Sequence, residues 1–147
     1  PPGILRPARP LDASRVAAIM YDWIEDTPWM PVLHTRAETI SYAGTMIDRG
    51  WVTVAEAETV KGYVAREKTE IHALYVDTYA RGHGIGTQLI EDAMQHQMTL
   101  RLWTFLANTR AQRLYERLGF HETHRTDGAR NDENLPDIHY EWQRTAP

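Results

Sequence analysis

The first quarter of the chain has the apolar spacing of a strand followed by a helix. Residues 4–6, followed by Pro7, predict a short edge strand, because proline is tolerated at sheet edges and strand ends. Four apolar residues then fall at i, i+3, i+4 and i+7 on one helical face: Val16, Ile19, Met20 and Trp23. We expect this helix to start with Asp12 as its N-cap and to stop before Pro28.

A second helix is predicted from residue 35. Thr35 and Glu38 have the spacing of a capping box, in which each side chain accepts a hydrogen bond from a free backbone N–H at the helix start. The inner face of this helix is expected to carry four small or apolar residues: Ile40, Ala43, Gly44 and Ile47.

From residue 51 onward the apolar period changes to that of strands. Residues 51–57 and 60–65 predict a hairpin that turns at Glu58 and Thr59, and residues 70–77 predict the next strand. A glycine-rich turn then leads into a helix whose inner residues are Leu89, Ile90, Ala93, Met94 and Gln97.

The last third of the chain predicts one more helix between strands. Residues 100–106 are apolar enough for a buried strand, and either Asn108 or Thr109 caps the helix that follows. Gly119 is expected to end this helix with a positive φ. Residues 120–125 and 138–142 predict two closing strands around a polar loop, residues 126–137. The apolar side of the helix is formed by Ala111, Leu114, Tyr115 and Leu118.

Composition narrows the class of protein. A chain of 147 residues with 42% hydrophobic residues has the size of one globular domain, so we expect residues 1–147 to form a single domain. The absence of cysteine excludes disulfides, a zinc ribbon and a thiol nucleophile from the chain, and no metal site is expected. A formal charge of −4 and a pI of about 6.0 argue against nucleic acid as a partner.

Neither a membrane segment nor a signal peptide is predicted. No apolar run approaches the ~18 residues needed to span a bilayer. Residues 1–10 lack the apolar core of a signal peptide. We therefore expect a cytoplasmic protein with no membrane partner.

Three glycines, Gly82, Gly84 and Gly86, join a predicted strand to a predicted helix. Glycines let backbone amides approach a ligand closely, and a helix N-terminus attracts anions, although a tight turn without a ligand would have the same composition. A Walker A loop is excluded because Thr87 and Gln88 follow the last glycine, where that loop needs lysine and a hydroxyl residue. A dinucleotide fingerprint is excluded because it needs the spacing G-x-G-x-x-G after the first strand of a βαβ unit.

Two segments resemble the motifs of a known family. Arg81-Gly82-His83-Gly84-Ile85-Gly86, after the strand residues Leu74-Tyr75-Val76, resembles the Gln/Arg-x-x-Gly-x-Gly/Ala signature of the GNAT superfamily of N-acetyltransferases. The segment from Asn108 through Tyr115 to Gly119 and Phe120 is similar to the later motif of that superfamily. The resemblance implies an α+β, three-layer fold, in which a mixed, mostly antiparallel sheet of about six to seven strands is flanked by about four helices.

The resemblance also implies acetyl-coenzyme A (acetyl-CoA) as cofactor, with coenzyme A as product. The backbone amides of residues 82–87 would cradle its pyrophosphate, and residues 74–76 would pair with its pantetheine arm. Asn108 would hydrogen-bond the pantetheine, cap its own helix, or do both. The implied cofactor-binding residues are Leu74, Tyr75, Val76, Arg81, Gly82, His83, Gly84, Ile85, Gly86, Thr87, Asn108 and Tyr115.

The implied chemistry is attack of a neutral amine on the thioester, which needs a proton donor and a proton acceptor. Tyr115 is the candidate acid, because a phenol is protonated at neutral pH; its alternative role is packing on the apolar helix face. The candidate bases are Glu70 and His72, two residues apart on one strand, and a chain of water molecules is a third option. Other family members place a base where this chain has Trp103, which cannot accept a proton.

The acceptor is expected to be a primary amine of a small molecule or peptide. The first helices and the last hairpin loop usually form the acceptor pocket in this superfamily, which points here to Trp23, Asp26 and Trp29 as substrate-binding residues. Acidic side chains beside tryptophan suit a cationic amine, although they would equally form a solvated acidic rim. A noncatalytic acyl-CoA sensor or an interaction domain on the same fold is the alternative function.

Homodimerisation is common in this superfamily. Ile138, Tyr140 and Trp142 alternate along the last predicted strand and would supply either a dimer surface or the inner face of an edge strand.

Overall fold

The computed structural model describes residues 3–145. Seven strands and four helices follow one another in the order β1, α1, α2, β2, β3, β4, α3, β5, α4, β6 and β7. The strands are β1 (Ile4–Pro7), β2 (Val52–Ala57), β3 (Thr59–Glu67), β4 (Glu70–Val76), β5 (Thr99–Phe105), β6 (His121–Thr126) and β7 (Asp137–Gln143). The helices are α1 (Ala13–Asp26), α2 (Arg36–Asp48), α3 (Ile85–His96) and α4 (Thr109–Arg117).

All seven strands form one sheet in the order β1-β2-β3-β4-β5-β7-β6. Every neighbouring pair is antiparallel except β4 and β5, which are parallel. One core cluster joins α1 and α2 to β2 and β3, through residues such as Val16, Met46 and Tyr63. The other joins α3 and α4 to the opposite face, through residues such as Leu89 and Leu102. The three-layer α+β fold with a mostly antiparallel sheet is therefore confirmed.

Several predicted helix ends are confirmed in atomic detail. The backbone N–H of Glu38 donates to Thr35 Oγ1 at 3.1 Å, and the backbone N–H of Thr35 donates to Glu38 Oε1 at 2.9 Å, which completes the capping box. Asn108, rather than Thr109, caps α4, since its Oδ1 accepts from the backbone N–H of Ala111 at 3.1 Å. Gly119 follows α4 with φ of 95°.

Two details of the predicted helices differ in the structure. Asp12 is the N-cap residue of α1, as predicted, but its side chain makes no capping hydrogen bond, because the carboxylate instead accepts from the backbone N–H of Arg9 at 2.7 Å and from the guanidinium of Arg6. Ile40 does not lie on the inner face of α2 and is 39% exposed. The buried residues of α2 are Thr39, Ala43, Met46 and Ile47. The inner face at the start of the helix is therefore formed by Thr39 and not by its neighbour Ile40.

The last strand is an inner strand of the sheet. β7 pairs with β5 on one side and β6 on the other, so the expected edge-strand position is wrong. Ile138 and Tyr140 are fully buried, and Trp142 packs against the same core cluster. These three side chains form an inner face, which removes them as a dimer surface.

The sheet opens between β4 and β5, and this opening positions the site. The two strands pair only at Glu70 with Arg101 and at Ile71 with Leu102, after which β4 and β5 separate. On the other side of β4 the register with β3 shifts, since Ala65 pairs with Ala73 whereas Arg66 pairs with Ile71. His72 is therefore an extra residue, a β-bulge, next to the point where the strands part.

Candidate active site

A cleft of about 1640 Å³ fills the opening between β4 and β5. One side is formed by the first turn of α3, the loop before it and α4, and the other by α1, α2 and the loop between β6 and β7. This volume exceeds the usual range of small-molecule sites, roughly 300–1,000 Å³, so the cleft has room for two ligands side by side.

The glycine loop forms one end of the cleft. Gly82 and Gly84 have φ of 81° and 80°, a conformation that favours glycine, and space for a ligand surrounds both, since a Cβ there would meet no atom within 4 Å. Gly84 is the N-cap of α3, so the amides of Ile85, Gly86 and Thr87 have no acceptor within the helix. These amides and the positive end of the helix dipole make this end of the cleft suitable for an anion.

Arginines reinforce the positive charge at this end. Arg81, half-buried at the start of the loop, lines the cleft together with Arg110, Arg113 and Arg117 of α4. Burial lowers the pKa of Arg81, the charge of Arg110 lowers it further, and Asp26 acts in the opposite direction. Sequence analysis missed the three arginines of α4, although their i, i+3, i+7 spacing places them on one helical face.

The open edge of β4 forms the floor of the cleft. Leu74, Tyr75 and Val76 pair with β3 on one side and have no partner strand on the other, because β5 has already separated. All three line the cleft. An extended ligand could therefore pair with the backbone of this edge as an added strand.

Tyr115 and Asn108 approach the cleft from α4. Tyr115 is 7% exposed, and its ring packs against Phe120 and Tyr140 at centroid distances of 5.5 and 6.1 Å. Burial raises the pKa of Tyr115, so its hydroxyl stays protonated well above neutral pH. The Oδ1 atom of Asn108 is used in the helix cap, but its side-chain N–H groups remain available to a ligand.

The two candidate bases have different surroundings. His72 lines the cleft, stacks on Trp51 at a centroid distance of 4.9 Å, and has its Nε2 atom 3.0 Å from Glu67 Oε1. Glu70 pairs with Arg101 before the strands part and is absent from the cleft lining within residues 3–145. Of these two candidates, only His72 lines the cleft among residues 3–145.

Aromatic rings form the wall opposite the glycine loop. Trp23 lines the cleft and packs against Tyr75 at 5.3 Å and against Trp29 at 5.8 Å. Trp29 lies behind it and packs on Phe105 at 5.9 Å, which ties the end of α1 to the end of β5. Asp26 and the exposed His83 do not reach the cleft lining among the described residues, and the charge of Asp26 acts on Arg81 instead.

Carboxylates also line the cleft. The loop between β6 and β7 contributes Asp132 and Glu133, with Arg130 as its cation, β7 contributes Asp137, and α2 contributes Glu38. Burial, to which the charge of Glu133 adds, raises the pKa of Tyr75 to about 12. The lining of the cleft thus carries arginines from the glycine loop and α4 and carboxylates from the last loop, β7 and α2.

Comparison with known proteins agrees with this geometry. The sequence profile of the acetyltransferase (GNAT) domain matches residues 47–122, which is more than half of the chain. A Mycobacterium tuberculosis protein named as an N-acetyltransferase is 28% identical over 167 aligned positions, covering 97% of this chain and 95% of the relative.

Other relatives match over shorter segments. The peptidyl-lysine N-acetyltransferase YjaB of Salmonella typhimurium is 31% identical over 77 residues, which cover 52% of this chain and 53% of the relative. An uncharacterized N-acetyltransferase of Methanocaldococcus jannaschii is 42% identical over 62 residues, 39% of this chain and 27% of that protein. The aligned segments therefore span about half of the YjaB chain and about a quarter of the Methanocaldococcus jannaschii protein.

Solved structures share the fold over almost their whole length. Apo-form YjaB from Escherichia coli superposes with a TM-score of 0.79 at 21% identity, covering 97% of this chain and 98% of that one. The acetyltransferase yncA from Salmonella typhimurium, solved with its cofactor acetyl-CoA, gives a TM-score of 0.76 at 18% identity, with 99% and 97% covered. Within residues 3–145, no helix is both long enough and apolar enough to cross a membrane.

Proposed function

Because this chain belongs to the GNAT family of acetyl-CoA-dependent N-acetyltransferases, we propose that it transfers an acetyl group directly to a primary amine of a small molecule or peptide. Direct transfer requires both substrates to be bound together, and a cleft of about 1640 Å³ lined by both cationic and anionic side chains supports this. We further propose that residues 1–147 act as a single catalytic domain.

The residues present fit acetyl-CoA. The amides of the first turn of α3, together with Arg81, would hold the pyrophosphate, because both favour negative charge. The free edge of β4 at Leu74 and Val76 would pair with the amides of the pantetheine, and the Asn108 side-chain N–H groups would donate to it. When bound, acetyl-CoA supplies an acetyl group activated as a thioester.

Tyr115 would act as the proton donor. Its hydroxyl is kept protonated by burial, and within residues 3–145 no hydrogen bond contributes to the raised pKa of this side chain. A thiolate that formed in the same buried surroundings would also have a raised pKa, which would offset the weaker acidity of the buried phenol and let Tyr115 Oη donate its proton to the departing sulfur.

His72 would act as the proton acceptor. An imidazole accepts a proton near neutral pH, and this one faces the cleft beside the point where the strands part. The Glu67 carboxylate, 3.0 Å from His72 Nε2, would orient the ring. Glu70 would not take the proton from the amine, because it lies next to Arg101 and His139 at the closed end of the β4–β5 pair.

The acceptor would be a cationic amine. Glu133 lies in the same cleft as Tyr75 and Trp23, and its charge reaches Tyr75. A carboxylate next to aromatic rings attracts an ammonium group by charge and by cation–π contact. The name of the relative YjaB, a peptidyl-lysine N-acetyltransferase, agrees with a primary amine on a flexible chain.

A thiol-release assay with acetyl-CoA and a panel of amines tests this function. We expect lysine-containing peptides, diamines and aminoglycosides to release thiol faster than neutral or acidic amines. Glu133→Gln should raise KM for a cationic acceptor roughly three- to tenfold, while Glu122→Gln, on β6 beside Arg125, should leave it unchanged. Equal turnover of all amines would contradict the acceptor class, and binding of acetyl-CoA without any thiol release would favour a sensor.

A further inference from the structure

Trp51 stacks directly on the imidazole of His72. The two ring centroids are 4.9 Å apart, and the ring planes differ by 25°. The guanidinium of Arg49 also lies over the Trp51 ring, with its Cζ atom 5.0 Å from the centroid. Arg49 takes part in no ion pair among residues 3–145, so the indole is the partner that the structure gives to its charge.

The backbone of Trp51 is fixed between a helix and a strand. Its N–H donates to the carbonyl oxygen of Met46 in α2 at 3.1 Å, and its carbonyl oxygen accepts from the N–H of Arg66 in β3 at 2.8 Å. The side chain packs against the core cluster under α1 and α2. Trp51 is therefore a firmly held support for the histidine ring.

Glu67 holds the same imidazole at its edge. His72 Nε2 lies 3.0 Å from Glu67 Oε1. A glutamate carboxylate at neutral pH only accepts hydrogen bonds, so a neutral imidazole in this position carries its proton on Nε2. The other nitrogen, Nδ1, then has the free lone pair. The contact with Glu67 thus selects the tautomer in which Nδ1 is the proton acceptor.

The strand itself does not fix the direction of this ring. His72 is the extra residue of the β-bulge between Ile71 and Ala73, and a bulge leaves its residue outside the regular pairing. The His72 side chain is 34% exposed, so solvent on one side leaves room for other rotamers. Stacking on Trp51 and the bond to Glu67 are the two contacts that hold one orientation.

We propose that Trp51 is a positioning residue, which holds His72 by stacking so that Nε2–H stays on Glu67 and Nδ1 receives the proton of the acceptor amine. The proposal rests on the proposed function, in which His72 is the proton acceptor. The ammonium form of the acceptor gives one proton to Nδ1, which leaves a neutral amine and an imidazolium. The lone pair of that amine is then free to attack the thioester, and the imidazolium returns its proton to water at the exposed side of the ring.

Steady-state thiol release by two variants tests the stack. Trp51→Leu removes the aromatic face and should lower kcat roughly tenfold, because a base that is free to turn is misaligned with the amine. Trp51→Phe keeps a face for stacking and should stay within about threefold of the wild-type kcat. The KM for the amine and the Kd for acetyl-CoA should change less than about twofold in both, since Trp51 is absent from the cleft lining within residues 3–145.

Two comparisons separate positioning from a general structural role. In a His72→Gln background, Trp51→Leu should change kcat by less than about twofold, because the residue through which it acts is gone. Trp142→Leu is the matched control, since Trp142 also lies under an arginine, with Arg144 Cζ 5.8 Å from its ring centroid, and does not line the cleft. This control should lower the unfolding temperature while kcat stays within about twofold of the wild type.

Nitrogen-15 NMR of histidine-labelled protein reads the tautomer directly. At about pH 8, where a histidine of ordinary pKa ~6.5 is neutral, the His72 signal should be that of the Nε2–H form, and His72→Gln identifies this signal by its loss. A ring protonated at Nδ1 in the wild-type protein would overturn the proposal. This measurement holds even where Trp51→Leu does not fold.

The kinetic outcomes distinguish this proposal from the proposed function. A loss of kcat in Trp51→Leu that persists in the His72→Gln background, or that Trp142→Leu reproduces, would overturn the positioning role and leave the transferase intact. Undiminished kcat in His72→Gln would refute His72 as the base and the role of Trp51 together. A wild-type protein that releases thiol with no amine would refute the transferase itself.

Discussion

Replacing Tyr115 with phenylalanine removes one hydroxyl group and keeps the ring. The ring is 7% exposed and packs against Phe120 and Tyr140, contacts that phenylalanine can preserve. Among residues 3–145, no hydrogen bond to the Tyr115 hydroxyl contributes to its raised pKa. Removing the hydroxyl therefore leaves no partner unsatisfied. Tyr115→Phe therefore separates a chemical role of the hydroxyl from a packing role of the ring.

The expected effects on rate and on stability differ widely. General acid catalysis contributes at least about 100-fold, so kcat should fall by roughly that factor, equivalent to ~2.7 kcal/mol in the barrier. The free energy of unfolding should change by less than about 1 kcal/mol, which corresponds to a Tm shift within ~3 °C for a chain of this size. The Kd for acetyl-CoA should stay within about twofold, because the variant keeps the Tyr115 ring and leaves the amides of α3, the edge of β4 and Asn108 unchanged.

Tyr140→Phe is the matched control. Tyr140 is a neighbouring buried tyrosine whose hydroxyl donates to Glu116 Oε2 at 2.8 Å and does not line the cleft. Losing this bond should cost about 1.5 kcal/mol, or roughly 4 °C in Tm, with kcat nearly unchanged.

Steady-state thiol release and thermal unfolding of the two variants measure both quantities. Undiminished kcat in Tyr115→Phe would refute the acid assignment. A fall in kcat accompanied by a Tm loss as large as that of Tyr140→Phe would mean that the hydroxyl acts through packing instead.

Three further predictions follow from the same structure. His72→Gln should lower kcat/KM by at least about 100-fold, whereas Glu70→Gln should leave it within about threefold; the reverse pattern would move the base to Glu70. The hydrogen bond from the Arg6 guanidinium lowers the pKa of Asp12, so its stabilisation is present above the unfolded value of ~3.9 and is lost as pH falls through the folded value. Asp12→Asn should accordingly cost ~1 kcal/mol in urea unfolding at pH 7 and clearly less at pH 3, and an equal loss at both would argue against the ion pair as the cause. Gly84→Ala should cost about 1–2 kcal/mol, because alanine is strained at φ of 80°, and should weaken acetyl-CoA binding; unchanged binding would mean that the loop amides are not used.

Features that depend on residues close together in the chain could be predicted from the sequence. The capping box joins Thr35 to Glu38, and the cap of α4 joins Asn108 to Ala111, so each is complete within one turn of helix. The glycine loop is likewise local, because strand, turn and helix follow one another directly. For this reason the motif residues indicated the family and one end of the cleft without a structure.

Features that depend on strand pairing required the structure. The periodicity of β4 gives no sign that its pairing with β5 stops after two residues or that His72 is an extra residue in the register with β3. These two facts separate His72 from Glu70, which looked equivalent in the sequence. Likewise, the alternation in β7 did not distinguish an inner strand from an edge strand, because that depends on β6 pairing beyond it.

The sequence by itself determined most of the elements, the caps of α2 and α4 and the glycine turn before α3, because each is specified by contacts within a few residues. The tertiary structure decided which charges share the cleft. Arg117 and Thr87 are 30 positions apart in the chain yet 3.4 Å apart in space. Glu133 likewise acts on Tyr75 only because the last loop folds back over the opened sheet. Such pairs depend on how whole elements pack, and no local pattern of hydrophobic and polar residues specifies that packing.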